Sequence, residues 1–220
     1  MKRSKFSHSH THLTSFSMGE LVPIGVQEVL PGDTFNMSTA LLLRLSPLLA
    51  PVMHPVHIHV DHWFVPNRII WDDWEDFITG GPDGDDSTQP PMIDCPATTG
   101  FVIGSLADYL GVPPGVPDEP VSALPFRAYT DVFNQNYRDE DLVTELALDT
   151  GNGTDTTTNT TLQNVAWEKD RYTTSRPWTQ KGPEITLPLG TTANVISNGQ
   201  IPTYTGAWIV TGKHFEALCL

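Results

Sequence analysis

The alternation of apolar and polar side chains is most regular between residues 55 and 66, where it predicts a β-strand. Val56, Ile58 and Val60 fall on one side of an extended chain, whereas His57 and His59 fall on the other. Valine and isoleucine are β-branched and fit a pleated surface. This segment is therefore the clearest strand in the chain, and its two histidines share one face.

The spacing of apolar residues changes after this strand and indicates a helix over residues 68–79. Trp74 and Phe77 recur with their apolar neighbours at helical intervals. Asn67 is placed to act as the N-cap, and the Gly80-Gly81 pair ends the helix. An amphipathic, tryptophan-rich helix thus follows the histidine-rich strand.

Elsewhere the pattern alternates between short elements and long connections. Loosely alternating residues near 20–37 suit short strands, residues 105–111 suit a short capped helix, and residues 124–142 contain a longer helix. Residues 149–164 have almost no apolar side chain and are expected to form an exposed loop, and further β-like runs follow residue 166. Helices placed irregularly among strands favour a mainly β fold, a β-sandwich or jelly roll with long helix-containing loops.

Composition agrees with a large β domain that has many turns. The chain has 220 residues, 39% of them hydrophobic, with 19 prolines and 17 glycines. The longest apolar window, residues 40–52, is interrupted by Arg44 and by prolines, so no membrane span is expected. The N-terminus has a basic start without an apolar stretch after it, which is not typical of a signal peptide. We therefore expect the protein to stay in the compartment where it is made.

Charge divides the chain into an arm and a body. The formal net charge is −14, which argues against a surface covered with phosphate-binding groups. Lys2, Arg3 and Lys5 nevertheless lie together at the start, followed by alternating histidines. We predict a flexible basic and histidine-rich arm over residues 1–18 and one folded domain over residues 19–220. The arm either contacts nucleic acid or is a frayed terminus that binds nothing.

The cysteines provide no framework for the fold. Cys95 and Cys219 are the two cysteines of the chain, too few for a disulfide scaffold or a thiolate metal cluster. They could pair with each other in principle. We expect both to be reduced and structural.

The histidine pair raises the possibility of a metal site. Two imidazoles at His57 and His59 on one strand face are how cupin-type barrels present two ligands. The acid and the third histidine that such a site needs do not follow at suitable positions. No nucleophile elbow, phosphate-binding loop, dinucleotide motif or zinc-protease motif occurs in the chain. We therefore expect no cofactor and no enzymatic activity, and keep metal binding as the alternative.

Four blocks in order carry a resemblance to a known family. The first runs from residue 38 to residue 81 and includes PVMHPVHIHVDHWFVPNRIIWDDWEDFITGG. The others are LPFRAYTDVFNQNYRDEDL, DRYTTSRPWTQKGP and EITLPLG, which ends at residue 190. Together they resemble the N-terminal part of the major capsid protein of microviruses, the small icosahedral single-stranded DNA phages, most closely the gokushovirus-like branch.

The resemblance implies a viral jelly roll whose long loops make most contacts between neighbouring subunits. Copies would assemble as a homo-oligomeric shell around single-stranded DNA, with other virion proteins as partners and no membrane. The location implied is the virion, after assembly in the host cytoplasm. From charge and pattern alone we assign DNA contact to Lys2, Arg3 and Lys5. We assign packing or subunit contact to Trp71, Trp74 and Phe77.

The length departs from the family pattern. Members of the family are considerably longer, and the resemblance fades after residue 190, so we expect a jelly roll that is incomplete at the C-terminus. Such a chain would be a truncated reading frame or a divergent short form, with an open sheet edge in the first case. The second hypothesis, from a different class, is a metal-binding cupin-like β-barrel protein or enzyme that uses His57 and His59.

Overall fold

The computed structural model describes residues 4–176, and its regular elements are short and joined by long loops. In chain order they are α1 (Asn67–Ile70), α2 (Trp74–Thr79), β1 (Met92–Asp94), α3 (Leu106–Tyr109), β2 (Pro120–Ser122), α4 (Leu124–Val132) and a π-helical turn (Phe133–Tyr137). None of the helices within residues 4–176 has the length and apolar character needed to cross a bilayer.

The helix predicted over residues 68–79 forms as two helices instead of one. At Trp71 the backbone is extended, with φ −150° and ψ 113°, and the amide of Asp72 donates to the carbonyl of Thr150 at 3.1 Å. Because that amide bonds to a distant loop, the hydrogen-bond ladder of the helix is interrupted there. Asn67, predicted as the N-cap, is the first helical residue. Gly80 ends α2 in the left-handed conformation, as predicted.

A small antiparallel ribbon joins two loops that are distant in sequence. Strand β1 pairs with β2 so that Ile93 lies opposite Val121. A parallel bridge adds Thr154 on the other side of Met92. Within residues 4–176 this ribbon is the only sheet and no barrel is closed, so the jelly roll stays a prediction.

The apolar core lies between this ribbon and the helices α3 and α4. Its buried members are Ile93, Cys95, Phe101, Leu106, Ala107, Ala123, Phe126 and Tyr129. Helix α3 begins as predicted, because the hydroxyl of Ser105 accepts a hydrogen bond from the amide of Asp108. The longer helix predicted within residues 124–142 is confirmed as α4 with its π-helical extension.

The side chain of Tyr129 connects α4 to two remote segments. Its hydroxyl donates to the carbonyl of Leu21 at 3.0 Å and accepts from the amide of Gln163 at 2.9 Å. Residues 19–21 and 163–165 lie side by side around it, joined by the bridge between Glu20 and Asn164. Burial raises the pKa of Tyr129 to about 12, so the phenol keeps its proton and both bonds over the neutral range.

The strand predicted at the histidine pair is not formed in this structure. Residues 56–60 lie in no strand, and no described segment pairs with them. The alternation shows in the exposure of residues 57–60, since Ile58 and Val60 are half-buried whereas His57 and His59 are exposed, but Val56 is exposed as well. A strand needs a hydrogen-bonded neighbour as well as a pattern, and the pattern alone does not supply one. The β-like runs predicted at residues 176–190 and 201–210 lie outside the described residues, except for residue 176.

Cys95 is buried and free, and burial raises the pKa of its thiol. A protonated buried thiol behaves as a small apolar side chain, in agreement with the structural role expected for it. Cys219 lies outside the described residues.

Candidate functional site

The aromatic residues of the α1–α2 segment form one cluster with an inner and an outer side. The ring centroid of Trp71 lies 5.7 Å from Trp74 and 4.9 Å from Phe77, and Trp74 lies 6.1 Å from Phe77. Trp71 is 1% exposed and Phe77 is 41% exposed. The structure therefore gives Trp71 a packing position and leaves Phe77 at the surface, and Trp74 is half-buried.

Loop 149–164 holds this aromatic cluster in place. The indole Nε1 of Trp71 donates to Oδ1 of Asn152 at 2.5 Å, and Nδ2 of the same amide donates to Asp73 at 2.5 Å. The hydroxyl of Thr150 donates to the carboxylate of Asp72 at 2.7 Å. The loop thus satisfies polar groups of a segment some 80 positions earlier in the sequence.

A buried ion pair fixes the same loop to α4. Nε of Arg127 donates to Oδ2 of Asp155 at 2.8 Å, and both side chains are fully buried. The hydroxyl of Thr158 also donates to this carboxylate, at 2.6 Å, and Nη1 of Arg127 donates to the carbonyl of Ile70 at 3.1 Å. Arg127 therefore joins three segments: α4, the end of α1 and loop 149–164. Nη2 lies 3.8 Å from the partly exposed carboxylate of Asp149.

The pKa of Asp155 reflects opposing effects of this environment. Desolvation by burial raises the pKa, but hydrogen bonds from Thr158, Arg127 and Thr157 together outweigh it and lower the pKa overall. The group is therefore a carboxylate at neutral pH, and both of its oxygens accept hydrogen bonds. This geometry supports a structural role for Asp155 and not a role in proton transfer.

The sequence prediction that residues 149–164 form an exposed loop is wrong for Asp155 and Thr158, which are buried. One signal could have revealed this. The run of threonines after Asp155 provides two amides and one hydroxyl that turn back onto its carboxylate. Arg127 gave no signal, because 3.6 residues per turn place it about 160° around the helix from Tyr129, off the apolar stripe.

Both histidines of the pair are exposed, and His59 lies near an acidic side chain. Nε2 of His59 lies 3.8 Å from the carboxylate of Glu168, with both side chains largely in water. Within residues 4–176, no three His, Cys, Asp or Glu side chains are close enough together to hold a metal ion. An ion pair between side chains as exposed as those of His59 and Glu168 adds little stability.

The end of the histidine-rich segment is anchored by hydrogen bonds to the π-helical turn. The hydroxyl of Tyr137 donates to Asp61 at 2.7 Å and accepts from the indole of Trp63 at 3.0 Å. Burial and the hydrogen bond to Asp61 raise the pKa of Tyr137. Asp61, on the polar side of the predicted strand, is thus hydrogen-bonded to another part of the same chain.

The N-terminal arm is only partly within the described residues. Lys2 and Arg3 lie outside them, and Lys5 is exposed. Residues 4–19 are exposed and form no helix or strand, although the hydroxyl of Tyr109 donates to the carbonyl of Ser15 at 2.7 Å. The DNA contact assigned to Lys2, Arg3 and Lys5 stays a prediction.

Large apolar side chains between residues 24 and 56 are exposed to water. The most apolar part of this segment includes Leu41, Leu42, Leu45, Leu48, Leu49 and Met53, all exposed. The segment has no helix or strand of its own. So many exposed apolar side chains along one segment are typical of a region that other protein covers.

Comparison with known proteins gives a consistent picture. The model of one family, described as capsid protein (F protein), matches residues 1–216. The chain is 36% identical to "Capsid protein VP1" of Bdellovibrio phage phiMH2K over 216 residues, which cover 95% of this chain and 40% of that protein. It is 37% identical to "Capsid protein VP1" of Chlamydia phage 1, covering 93% of this chain and 37% of the relative. It is 32% identical to "Capsid protein VP1" of Spiroplasma virus 4, covering 94% of this chain and 40% of the relative. The chain thus spans about two fifths of the length of these relatives.

Proposed function

Since this chain belongs to the capsid protein (F protein) family, we propose that it is a structural subunit of an icosahedral phage capsid. The match over residues 1–216 is the observation that carries the proposal. It confirms the predicted relation to the capsid proteins of gokushovirus-like microviruses. The role proposed is association of copies into a shell, without catalysis and without a cofactor.

The fold proposed for the subunit is the viral jelly roll with long helix-containing loops. The family match over residues 1–216 supports this proposal, whereas the core of residues 66–165 contains only a two-stranded ribbon and favours no particular β fold. The apolar surface between residues 24 and 56 supports it as well. Strands of a closed barrel would cover such side chains on one face, and neighbouring subunits would cover others.

Assembly requires subunit interfaces, which typically have an apolar centre and a polar rim. Phe77 and Ile78 are exposed on α2, and the acidic Glu75 and Asp76 precede them on the same helix. An aromatic residue exposed on a rigid, well-packed support is the type of group that dominates subunit contacts. We therefore assign Phe77 to subunit contact and Trp71 to packing beneath it, while Trp74 supports both.

The proposed partners are further copies of the chain, single-stranded DNA and other virion proteins. A net charge of −14 keeps most of the surface from binding phosphate. The arm with Lys2, Arg3 and Lys5 would face the genome, and the acidic body would face away from it. The protein would reside in the virion after assembly in the host cytoplasm. The metal-binding alternative at His57 and His59 is supported by no observation on the described residues.

The assembly proposal predicts that Phe77→Ala weakens association of the chain with itself. The substitution also removes the ring contacts with Trp71 and Trp74, so the free energy of unfolding should fall by about 1–3 kcal/mol, and association is compared where both variants are folded. Removal of an interface anchor costs about 2 kcal/mol or more per contact, which shifts the concentration for assembly upward by more than tenfold. Sedimentation velocity over a concentration series, with electron microscopy of the products, measures this shift.

Ile103→Ala provides the matched control for this experiment. Ile103 is an exposed apolar residue on a different loop, before α3. Association that weakens equally in both variants would contradict the assignment of Phe77. A chain that stays monomeric at every concentration and gives no particles would contradict the assembly proposal itself. Stoichiometric bound metal that disappears in the His57→Ala/His59→Ala variant would instead favour the alternative.

The DNA assignment predicts that replacing Lys2, Arg3 and Lys5 by alanine lowers the affinity for single-stranded DNA. Each lost phosphate contact should reduce the slope of log affinity against log salt by about 0.7, or by about 2 for all three. Fluorescence anisotropy with a labelled oligonucleotide at several salt concentrations measures both quantities. Lys169→Ala is the control, because Nζ of Lys169 is already 3.2 Å from the carboxylate of Asp139. Unchanged affinity and slope in the triple variant would exclude the arm as the DNA contact.

A further inference from the structure

Asn152 is followed by Gly153 within an exposed part of loop 149–164. An asparagine before glycine is prone to an internal reaction, because no Cβ on the next residue hinders its backbone nitrogen from reaching the asparagine Cγ. The reaction depends on the freedom of this dipeptide. The surroundings of Asn152 in the folded chain therefore determine how fast it proceeds.

The amide of Asn152 bridges one donor and one acceptor. The indole Nε1 of Trp71 is only a donor and bonds to Oδ1, whereas the carboxylate of Asp73 is only an acceptor and bonds to Nδ2. A carboxamide satisfies both partners at once. A carboxylate in the same place would satisfy the indole alone and would bring a second negative charge against Asp73.

The docked loop also restrains the nitrogen that would attack. The amide of Gly153 donates to the carbonyl of Gln89 at 3.3 Å, so its hydrogen is directed at Gln89. With Nδ2 bonded to Asp73, the two reacting groups are both held by other partners. The loop must open locally before Gly153 and Asn152 can react with each other.

We propose that Asn152 is a deamidation site that the docked loop protects, and that deamidation detaches the α1–α2 segment from this loop. In the reaction the Gly153 nitrogen forms a bond to Cγ of Asn152, the Cγ–Nδ2 bond breaks, and ammonia leaves with the amide proton. Water then opens the cyclic imide at either carbonyl, which gives aspartate or isoaspartate. No oxidant or reductant takes part, and the change is not reversed by redocking.

The consequence of the reaction is loss of the polar bridge beneath the aromatic cluster. The new carboxylate repels Asp73, and isoaspartate in addition lengthens the backbone within a tight loop. The neighbouring bond from the amide of Asp72 to the carbonyl of Thr150 depends on the same docking. Hydrogen exchange of the Asp72 amide is therefore a local measure of whether the segment remains attached. This inference is independent of whether the chain assembles into a shell.

The protection is tested on the 220-residue chain by ageing it at mildly alkaline pH, folded or in urea. Peptide mass spectrometry then follows acid and isoacid formation at Asn152. We expect deamidation to be many-fold slower in the folded chain than in urea. Asn159, in the same loop but followed by Thr160, is the internal control and should react slowly in both. Equal rates at Asn152 in the folded and unfolded chain would overturn the proposed protection.

The detachment is tested with substitutions that imitate the product. Asn152→Asp should raise the exchange rate of the Asp72 amide by at least several-fold. Asp73→Asn added to Asn152→Asp should restore slow exchange, because the new amide at position 73 donates to the new carboxylate at position 152. The proposal would be overturned if the Asp72 amide of Asn152→Asp exchanged as slowly as in the unchanged chain. It would also be overturned if adding Asp73→Asn failed to restore slow exchange. The double variant keeps the test informative even if the single variant is poorly folded.

Discussion

Asp155→Asn is expected to destabilise the chain by about 3–5 kcal/mol, because it removes the buried carboxylate that is hydrogen-bonded to the fully buried guanidinium of Arg127. The new amide group would also point a donor at the donating groups of Arg127 and Thr158. Urea unfolding of the 220-residue chain, followed by tryptophan fluorescence, measures the loss. Loop 149–164 should become the first site of proteolysis in the variant.

Asp149→Asn is the matched control for this substitution. Its carboxylate lies 3.8 Å from the same arginine and is 34% exposed, so the loss should be below about 1 kcal/mol. Asparagine also retains the oxygen that accepts from the amide of Gly151. Equal losses in both variants would contradict the view that burial makes the Asp155 pair critical.

The same pair predicts the direction of the pH dependence. The pKa of Asp155 in the folded chain is lower than in the unfolded chain, so its contribution is fully present above the unfolded pKa, about 3.9. The contribution decreases as the pH falls through that value towards the folded pKa. Asp155→Asn should therefore be less sensitive to acid than the unchanged chain over this interval.

Gly100→Ala is expected to destabilise the chain by about 2–5 kcal/mol. The backbone at Gly100 has φ +62°, and an added Cβ would lie 2.5 Å from the carbonyl oxygen and 2.6 Å from the nitrogen of Val116. The left-handed conformation costs an alanine about 1–2 kcal/mol, and the collision with backbone atoms adds about 1–3 kcal/mol of overpacking. Thermal and urea unfolding measure the total.

Gly104→Ala separates these two contributions. Gly104 has φ +77° but no atom within 4 Å of an added Cβ, so only the conformational cost of about 1–2 kcal/mol applies. A Gly100→Ala variant no less stable than Gly104→Ala would show that loop 113–117 moves away without cost. That result would contradict tight packing between residues 100 and 116.

The helices were predictable where their signals are local. Ser105 caps α3 and Gly80 ends α2 because a hydroxyl and a left-handed glycine act within one helical turn. The longer helix at Leu124–Val132 followed from the spacing of its apolar residues. The family relation was likewise visible in ordered blocks of sequence and is confirmed by the match over residues 1–216.

The sequence identified the aromatic residues of the candidate site, but neither their separate roles nor the buried ion pair beside them. The tryptophan-rich segment was identified, but sequence could not separate the buried Trp71 from the exposed Phe77, since both belong to one apolar pattern. Arg127 and Asp155 were not identified as a pair because 28 residues separate them and nothing local requires their contact. The strand at residues 56–60 depends on a partner that a period-two pattern does not specify.

By itself the sequence determined the chain's family, its charge division, the caps of its helices and the segment that carries its aromatic residues. Each of these depends on composition or on contacts between residues a few positions apart. Only the tertiary structure decided that α1 and α2 separate at Trp71, that a polar loop buries Asp155 and Thr158, and that Asn152 connects Trp71 to Asp73. These features arise from groups distant in the sequence, whose hydrogen bonds become necessary only when packing removes them from water.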